Sequence, residues 1–153
     1  MRSIDQLLRE QPFFASLDDD ALALIAGCAV NRHARAGAYL FRDGEPADTF
    51  FLIRHGRVAL ETHTPTGGSV VIETLDAGEV LGWSWIVPPY RWQFDARAVD
   101  DTSIVVFDGA CLRGKCDDDP RLGYALMQQV AQVMLARLQA TRVRLLDLYG
   151  VPL

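Results

Sequence analysis

The residues of this chain best equipped for covalent or metal chemistry are its three cysteines and three histidines. Their spacing favours neither use. Cys28, Cys111 and Cys116 are odd in number and scattered, which argues against a disulfide framework and for unpaired thiols in a reducing compartment. Cys111 and Cys116 together fall short of the four ligands that zinc or an iron–sulfur cluster usually takes, and no histidine lies near them in sequence. His33, His55 and His63 stand singly in strand-like surroundings, where a surface or packing role is expected. A G-x-S-x-G elbow, a P-loop, H-E-x-x-H and G-x-G-x-x-G are all absent. The expectation is a protein that is not an enzyme, with no catalytic residue, no metal and no cofactor.

Binding chemistry is better represented. From Gly78 the chain reads GEVLGWSWIVPPYRWQFDARAV. Aromatic residues follow: Trp83, Trp85, Tyr90, Trp92 and Phe94, with Pro88 and Pro89 among them, so that all 3 tryptophans fall between positions 83 and 92. Each such ring can bury about 150–250 Å². Rings of this kind either fill a core or stack a flat or cationic ligand. The candidate ligand contacts are Gly82, Trp83, Ser84, Trp85, Arg91, Trp92 and Gln93, with a small molecule as the possible ligand. Buried indole N–H groups need acceptors, and Ser84, Gln93 and Asp95 are the ones at hand.

The elements that must position this stretch divide into three zones. Residues 1–29 read as two short N-terminal helices broken at Pro12-Phe13-Phe14, the second starting from an N-cap in the Leu17-Asp18 region. Residues 30–108 switch to short apolar runs separated by Gly, Asp, Pro and Thr. Strands are expected at Tyr39–Arg42, Thr49–Arg54, Arg57–Thr62, Ser69–Leu75, Gln93–Val99 and Ser103–Phe107. Residues 109–153 return to helix: a short one over Gly109–Lys115, then Pro120 after Asp117–Asp119 as the start of a long one that Gly150 and Pro152 end. The fold class is α+β, an antiparallel jelly-roll-like β-roll of about eight strands between N-terminal helices and a long C-terminal helix, in one domain over 1–153.

One segment gives this order a likeness. Gly37-Ala-Tyr-Leu-Phe-Arg-Asp-Gly44-Glu-Pro-Ala-Asp48-Thr-Phe-Phe-Leu-Ile53-Arg-His-Gly56-Arg-Val58 closely resembles the signature of the cyclic nucleotide-binding domain family, which includes catabolite activator and Fnr-type regulators. Gly37, Gly44, Gly56, Gly78 and Gly82 match its turn glycines. The resemblance implies that the loop after Gly78 is the phosphate-binding cassette. It also implies a ribose-binding Glu where this chain has Trp83, and a phosphate-binding Arg where it has Trp92, with Arg91 one residue early. An indole accepts no hydrogen bond and neutralises no anion. Losing a charge-assisted bond costs about 1.5–3 kcal/mol, and loss of both groups takes a micromolar site to about millimolar or worse. Three outcomes stay open: rings that fill the vacated pocket, a repurposed aromatic site, or a cyclic nucleotide held through Arg91.

The long helix carries an apolar stripe. Met127, Val130, Met134, Leu138, Thr141 and Leu145 recur at 3-4 spacing, and the resemblance implies a twofold dimer through this helix. With a net charge of −5 and no Lys/Arg cluster, direct nucleic-acid binding is not expected, and no DNA-binding domain is expected after Leu153. Charges at Arg2, Asp5, Arg9 and Glu10 exclude an apolar leader, and no apolar run reaches a membrane span of roughly 18 residues. The sequence thus reads as a cytoplasmic, non-enzymatic sensor or adaptor, a homodimer acting on a partner protein. The other reading is a purely structural interaction module.

Overall fold

The computed structural model describes residues 3–150. Helix α1 (Ile4–Arg9), a 3-10 turn over Pro12–Phe14 and helix α2 (Asp19–Ala26) precede eight strands; α3 (Gly109–Asp118) and α4 (Pro120–Leu148) follow them. Arg2 and Pro152, which bore on the leader and the helix stop, lie outside the described residues. Asp18 caps α2 by accepting from the Ala21 amide at 2.8 Å. Asp119 caps α4, accepting from the Arg121 amide at 3.2 Å, with Pro120 in the first turn, where its missing N–H costs nothing.

The strands β1 (Ala29–Ala34), β2 (Tyr39–Phe41), β3 (Thr49–His55), β4 (Arg57–His63), β5 (Ser69–Asp76), β6 (Val80–Leu81), β7 (Asp95–Ala98) and β8 (Thr102–Asp108) form two antiparallel sheets. Their orders are β1-β8-β3-β6 and β2-β7-β4-β5. The sequence-level expectation of an antiparallel roll between N-terminal helices and a long C-terminal helix is what the chain adopts. β1 and β6 were not among the six strands marked out. β1 carries Asn31, Arg32 and His33 and is mostly exposed, so no apolar alternation announces it; its pairing with β8 (Ala29↔Phe107 to Ala34↔Thr102) holds it instead. All five matched glycines lie at positive φ, from 85° at Gly44 to 97° at Gly56. At Gly56 a Cβ would stand 2.5 Å from Thr102 Oγ1, so the β3–β4 turn requires glycine on two counts.

Strand β3 shows how the core divides. Its run Phe50-Phe51-Leu52-Ile53 is buried on both faces, so it reads as continuous apolar sequence. Phe50 and Leu52 face a layer made with Phe14, Leu22, Ile25, Trp85 and Phe107. Phe51 and Ile53 face the inside of the roll with Phe41, Leu60, Leu75 and Trp92. Helix α4, roughly 43 Å long at 1.5 Å per residue, contributes Leu122, Leu126 and Val130 to the first layer.

The cysteines do not behave as their number suggested. Cys28 and Cys111 are disulfide-bonded, with Cα atoms 5.6 Å apart at a sequence separation of 83, and Cys116 alone is free. The cause is long-range register: β1 lies antiparallel to β8 with Ala29 opposite Phe107, which brings the residue before one strand beside the helix that follows the other. An odd cysteine count left room for one pair and one leftover thiol. Among the described residues, no helix is long and apolar enough to cross a membrane.

Candidate functional site

The cassette begins where Gly78, at φ 91°, donates its N–H to the Ile53 carbonyl at 2.8 Å, and Ile53 returns a bond to the Glu79 carbonyl at 3.0 Å. Strand β6 then pairs with β3, Leu81 opposite Phe51, and Gly82 turns the chain at φ 93° into a 3-10 turn over Trp83–Trp85. The return limb is pinned by the Ala47 amide to the Tyr90 carbonyl at 2.7 Å and by the Gly44 amide to the Trp92 carbonyl at 2.8 Å. Tyr90 takes φ 56°, a left-handed conformation uncommon for a bulky residue and held here by those flanking bonds.

The three indoles go to three different places. Trp85 is 1% exposed, set beside Phe50 with ring centroids 6.1 Å apart; its Nε1 is buried and makes no hydrogen bond among the described residues. Trp92 is 2% exposed and lies inside the roll, stacked on Phe41 at 3.8 Å with 13° between planes and 6.4 Å from Phe51. A Cβ on Gly82 would stand 2.9 Å from the Trp92 ring, so glycine here leaves space for that indole. Trp83 is half-buried, and the Arg137 guanidinium of α4 sits over its ring at 4.7 Å. Arg137 also donates to the Val80 carbonyl and approaches Glu73 at 3.9 Å. Burial pushes its pKa below the ordinary arginine value, and Glu73 and Glu79 oppose the shift. A largely sheltered cation thereby meets a carbonyl, a carboxylate and an aromatic face together.

The seven candidate contacts therefore separate. Trp83, Ser84, Arg91 and Gln93 line one surface cavity of about 230 Å³, which Met134 of α4 completes. Trp85 and Trp92 are core, and Gly82 backs onto Trp92. The cavity is smaller than the roughly 300–1,000 Å³ of ordinary small-molecule sites. Arg91 is exposed and donates to the Gly44 carbonyl at 3.0 Å; Gln93 donates to the Arg91 carbonyl at 3.2 Å. Asp95 does not serve an indole. Its neighbour Ala96 faces the roll interior, so Asp95 points the other way, accepting from the Asp43 amide at 2.7 Å and pairing with His63 (2.7 Å) and Arg42 (3.5 Å). Its Oδ2 lies 2.7 Å from His63 Nε2 in a geometry that falls short of a hydrogen bond. Arg113 and Arg137, which hold the cassette from α3 and α4, were missed; for Arg137 the available signal was a cation set among the apolar residues Met134, Leu135, Ala136 and Leu138.

The helical stripe also divides. Val130 is buried and Met127 half-buried against the chain's own core, whereas Met134, Leu138 and Leu145 are exposed, and Thr141 returns its hydroxyl to the Arg137 carbonyl at 2.9 Å. Leu135, Val143 and Leu146 add to the exposed part, and Val70, Val71 and Ile72 are exposed on the edge strand β5. Among the described residues no cluster of His, Cys, Asp or Glu could hold a metal ion.

Comparison with known proteins agrees with this architecture. A solved structure from Geobacter metallireducens GS-15, named as a candidate cyclic nucleotide-binding protein, is 32% identical with a TM-score of 0.79, over 90% of this chain and 99% of that one. A cyclic nucleotide-binding domain from Methylobacillus flagellatus KT shares the fold at 20% identity and a TM-score of 0.80, over 95% of this chain and 82% of that one. The CRP-like cAMP-activated global transcriptional regulator of Mycobacterium tuberculosis is 23% identical over 145 residues, which are 95% of this chain and 63% of the regulator. The chain spans less than two thirds of the length of the curated relatives it matches first, from 8% of a cyclic nucleotide-gated ion channel of Arabidopsis thaliana upwards. This is a fold of regulation and sensing. The family signature of the cyclic nucleotide-binding domain matches residues 31–119, more than half of the sequence, and the chain belongs to that family.

Proposed function

We propose that this chain is a non-enzymatic regulatory module in which the space for a cyclic phosphate has become part of the core. The observation that supports the reading is the Trp92 ring, flat on Phe41 at 3.8 Å and packed towards Gly82, at the position that the resemblance assigns to a phosphate-binding arginine. Trp83, at the position of the ribose-binding glutamate, is engaged with Arg137. Arg91, the nearest substitute cation, is exposed and directs one N–H to the Gly44 carbonyl. The module works through protein contacts, first with a second copy of itself along the exposed half of α4, then with a partner protein. Its net charge of −5 favours such partners over nucleic acid.

Calorimetry with cAMP and cGMP tests this. No binding tighter than the high micromolar range is expected, because neither charge-assisted contact is available. Low-micromolar affinity would overturn the reading, and its loss in Arg91→Ala would show which cation had replaced the family's own. A second reading, favoured by the cavity that Trp83, Ser84, Arg91 and Gln93 share, is a small planar acid held outside the roll. Such a ligand would quench Trp83 fluorescence and leave the emission of Trp92 unchanged.

A further inference from the structure

The bond between Cys28 and Cys111 joins two junctions of the fold. Cys28 closes α2, its amide donating to the Ile25 carbonyl at 3.0 Å, and its own carbonyl accepts from the Asp108 amide at 2.9 Å. Cys111 lies in the first turn of α3, where its amide is capped by Asp108 at 2.9 Å. The covalent link therefore pins the start of α3, and the whole roll from β1 to β8 lies within the loop it closes. Helix α3 in turn holds the aromatic cassette. A Cβ on Gly109 would stand 3.1 Å from Trp85 Cβ, and Arg113 donates to the Trp85 carbonyl while its guanidinium covers the Tyr90 ring at 5.1 Å.

We propose that Cys28–Cys111 is a reversible thiol–disulfide site, opened by a dithiol reductant, whose state sets how firmly α3 clamps the cassette at Trp85 and Tyr90. The inference is independent of what, if anything, the cassette binds. Cys28 is buried and Cys111 half-buried, so an incoming thiolate meets the Cys111 sulfur. A mixed disulfide forms there, and Cys28 leaves as a thiolate and takes a proton. The second thiol of the dithiol then displaces Cys111, which is also released as a thiol, and the dithiol departs as its own disulfide: two electrons and two protons pass to the protein. Cys116 is a poor internal competitor. Burial, then the charges of Asp117 and Asp119, push its thiol pKa up, so little attacking thiolate is present near neutral pH.

The test compares air-purified protein with protein held in excess dithiothreitol, then returned to oxidised glutathione. Maleimide labelling after denaturation without reductant should tag one thiol in the first and third states and three in the second. Amide hydrogen exchange over 83–91 and 109–118 should rise at least tenfold on reduction and fall again on reoxidation, while β3 and β4 stay protected. A Cys28→Ser/Cys111→Ser variant should exchange like the reduced protein and ignore dithiothreitol, and Cys116→Ser should respond as wild type. Should the double variant not fold, the wild-type redox cycle still decides. Three tagged thiols in the air-purified protein, cassette exchange unchanged on reduction, or global unfolding on reduction would each overturn the proposal.

Discussion

Replacing Trp92 by alanine should cost about 3–5 kcal/mol of stability, the range for removing a buried tryptophan. The ring is 2% exposed. Burying about 150–250 Å² at about 25 cal/mol per Å² gives about 4–6 kcal/mol as an upper bound, since the unfolded chain already shelters part of that area. The stack on Phe41 at 3.8 Å adds about 0.5–1.5 kcal/mol beyond area. Against this, Trp92 also lines a cavity of about 410 Å³ beside Phe41, Phe51 and Pro46, so the new void opens towards solvent and water can enter it. That places the expected loss near the lower half of the range, still a large fraction of the roughly 5–15 kcal/mol available to a domain. Trp83→Ala is the internal control: the residue is half-buried, and losing its contact with Arg137 costs about 0.5–2 kcal/mol. Urea unfolding followed by circular dichroism measures both. A Trp92→Ala loss under about 1 kcal/mol, or no greater than that of Trp83→Ala, would refute the placement of this ring in the core.

Two other outcomes are expected. Light scattering of the chain, whose mass is 17.0 kDa, should report about twice that value at micromolar concentration, and Leu138→Glu should return it to monomer by setting like charges face to face in a dehydrated seam; a wild type that stays monomeric would count against the exposed half of α4 as an interface. Because burial raises the Cys116 pKa, its thiolate is scarcer at pH 8 than that of an ordinary cysteine, so iodoacetamide should modify it more slowly than a model peptide thiol, with a rate still climbing above pH 9; a profile that levels off below pH 8.5 would contradict this.

The roll was legible because its turns are. Each of Gly37, Gly44, Gly56, Gly78 and Gly82 marks a backbone conformation that other residues resist, so turns can be placed before any contact is known. What pairing alone decides was not legible. β1 looks like loop because most of its side chains are exposed and polar, and the Cys28–Cys111 bond depends on that same pairing across 83 positions. The indoles illustrate a second limit. Trp83 and Trp85 lie two residues apart in a tight turn, where neither strand nor helix periodicity applies, so one meets Arg137 and the other Phe50. Likewise, the stripe on α4 gives no sign of where its own roll ends; Val130 is covered and Met134 is not.

Fluorine NMR of protein labelled with 5-fluorotryptophan reports directly on whether Trp92 occupies the site of the cyclic phosphate. Three resonances are expected, assigned by single replacements with phenylalanine. The Trp92 signal should show almost no shift between H₂O and D₂O and should stay in place as cAMP is raised to about 1 mM, whereas the Trp83 signal should be sensitive to solvent. A solvent-sensitive Trp92 resonance that moves and saturates with micromolar cAMP would mean that the ring leaves the pocket for the nucleotide, and that the module is an ordinary cyclic nucleotide sensor.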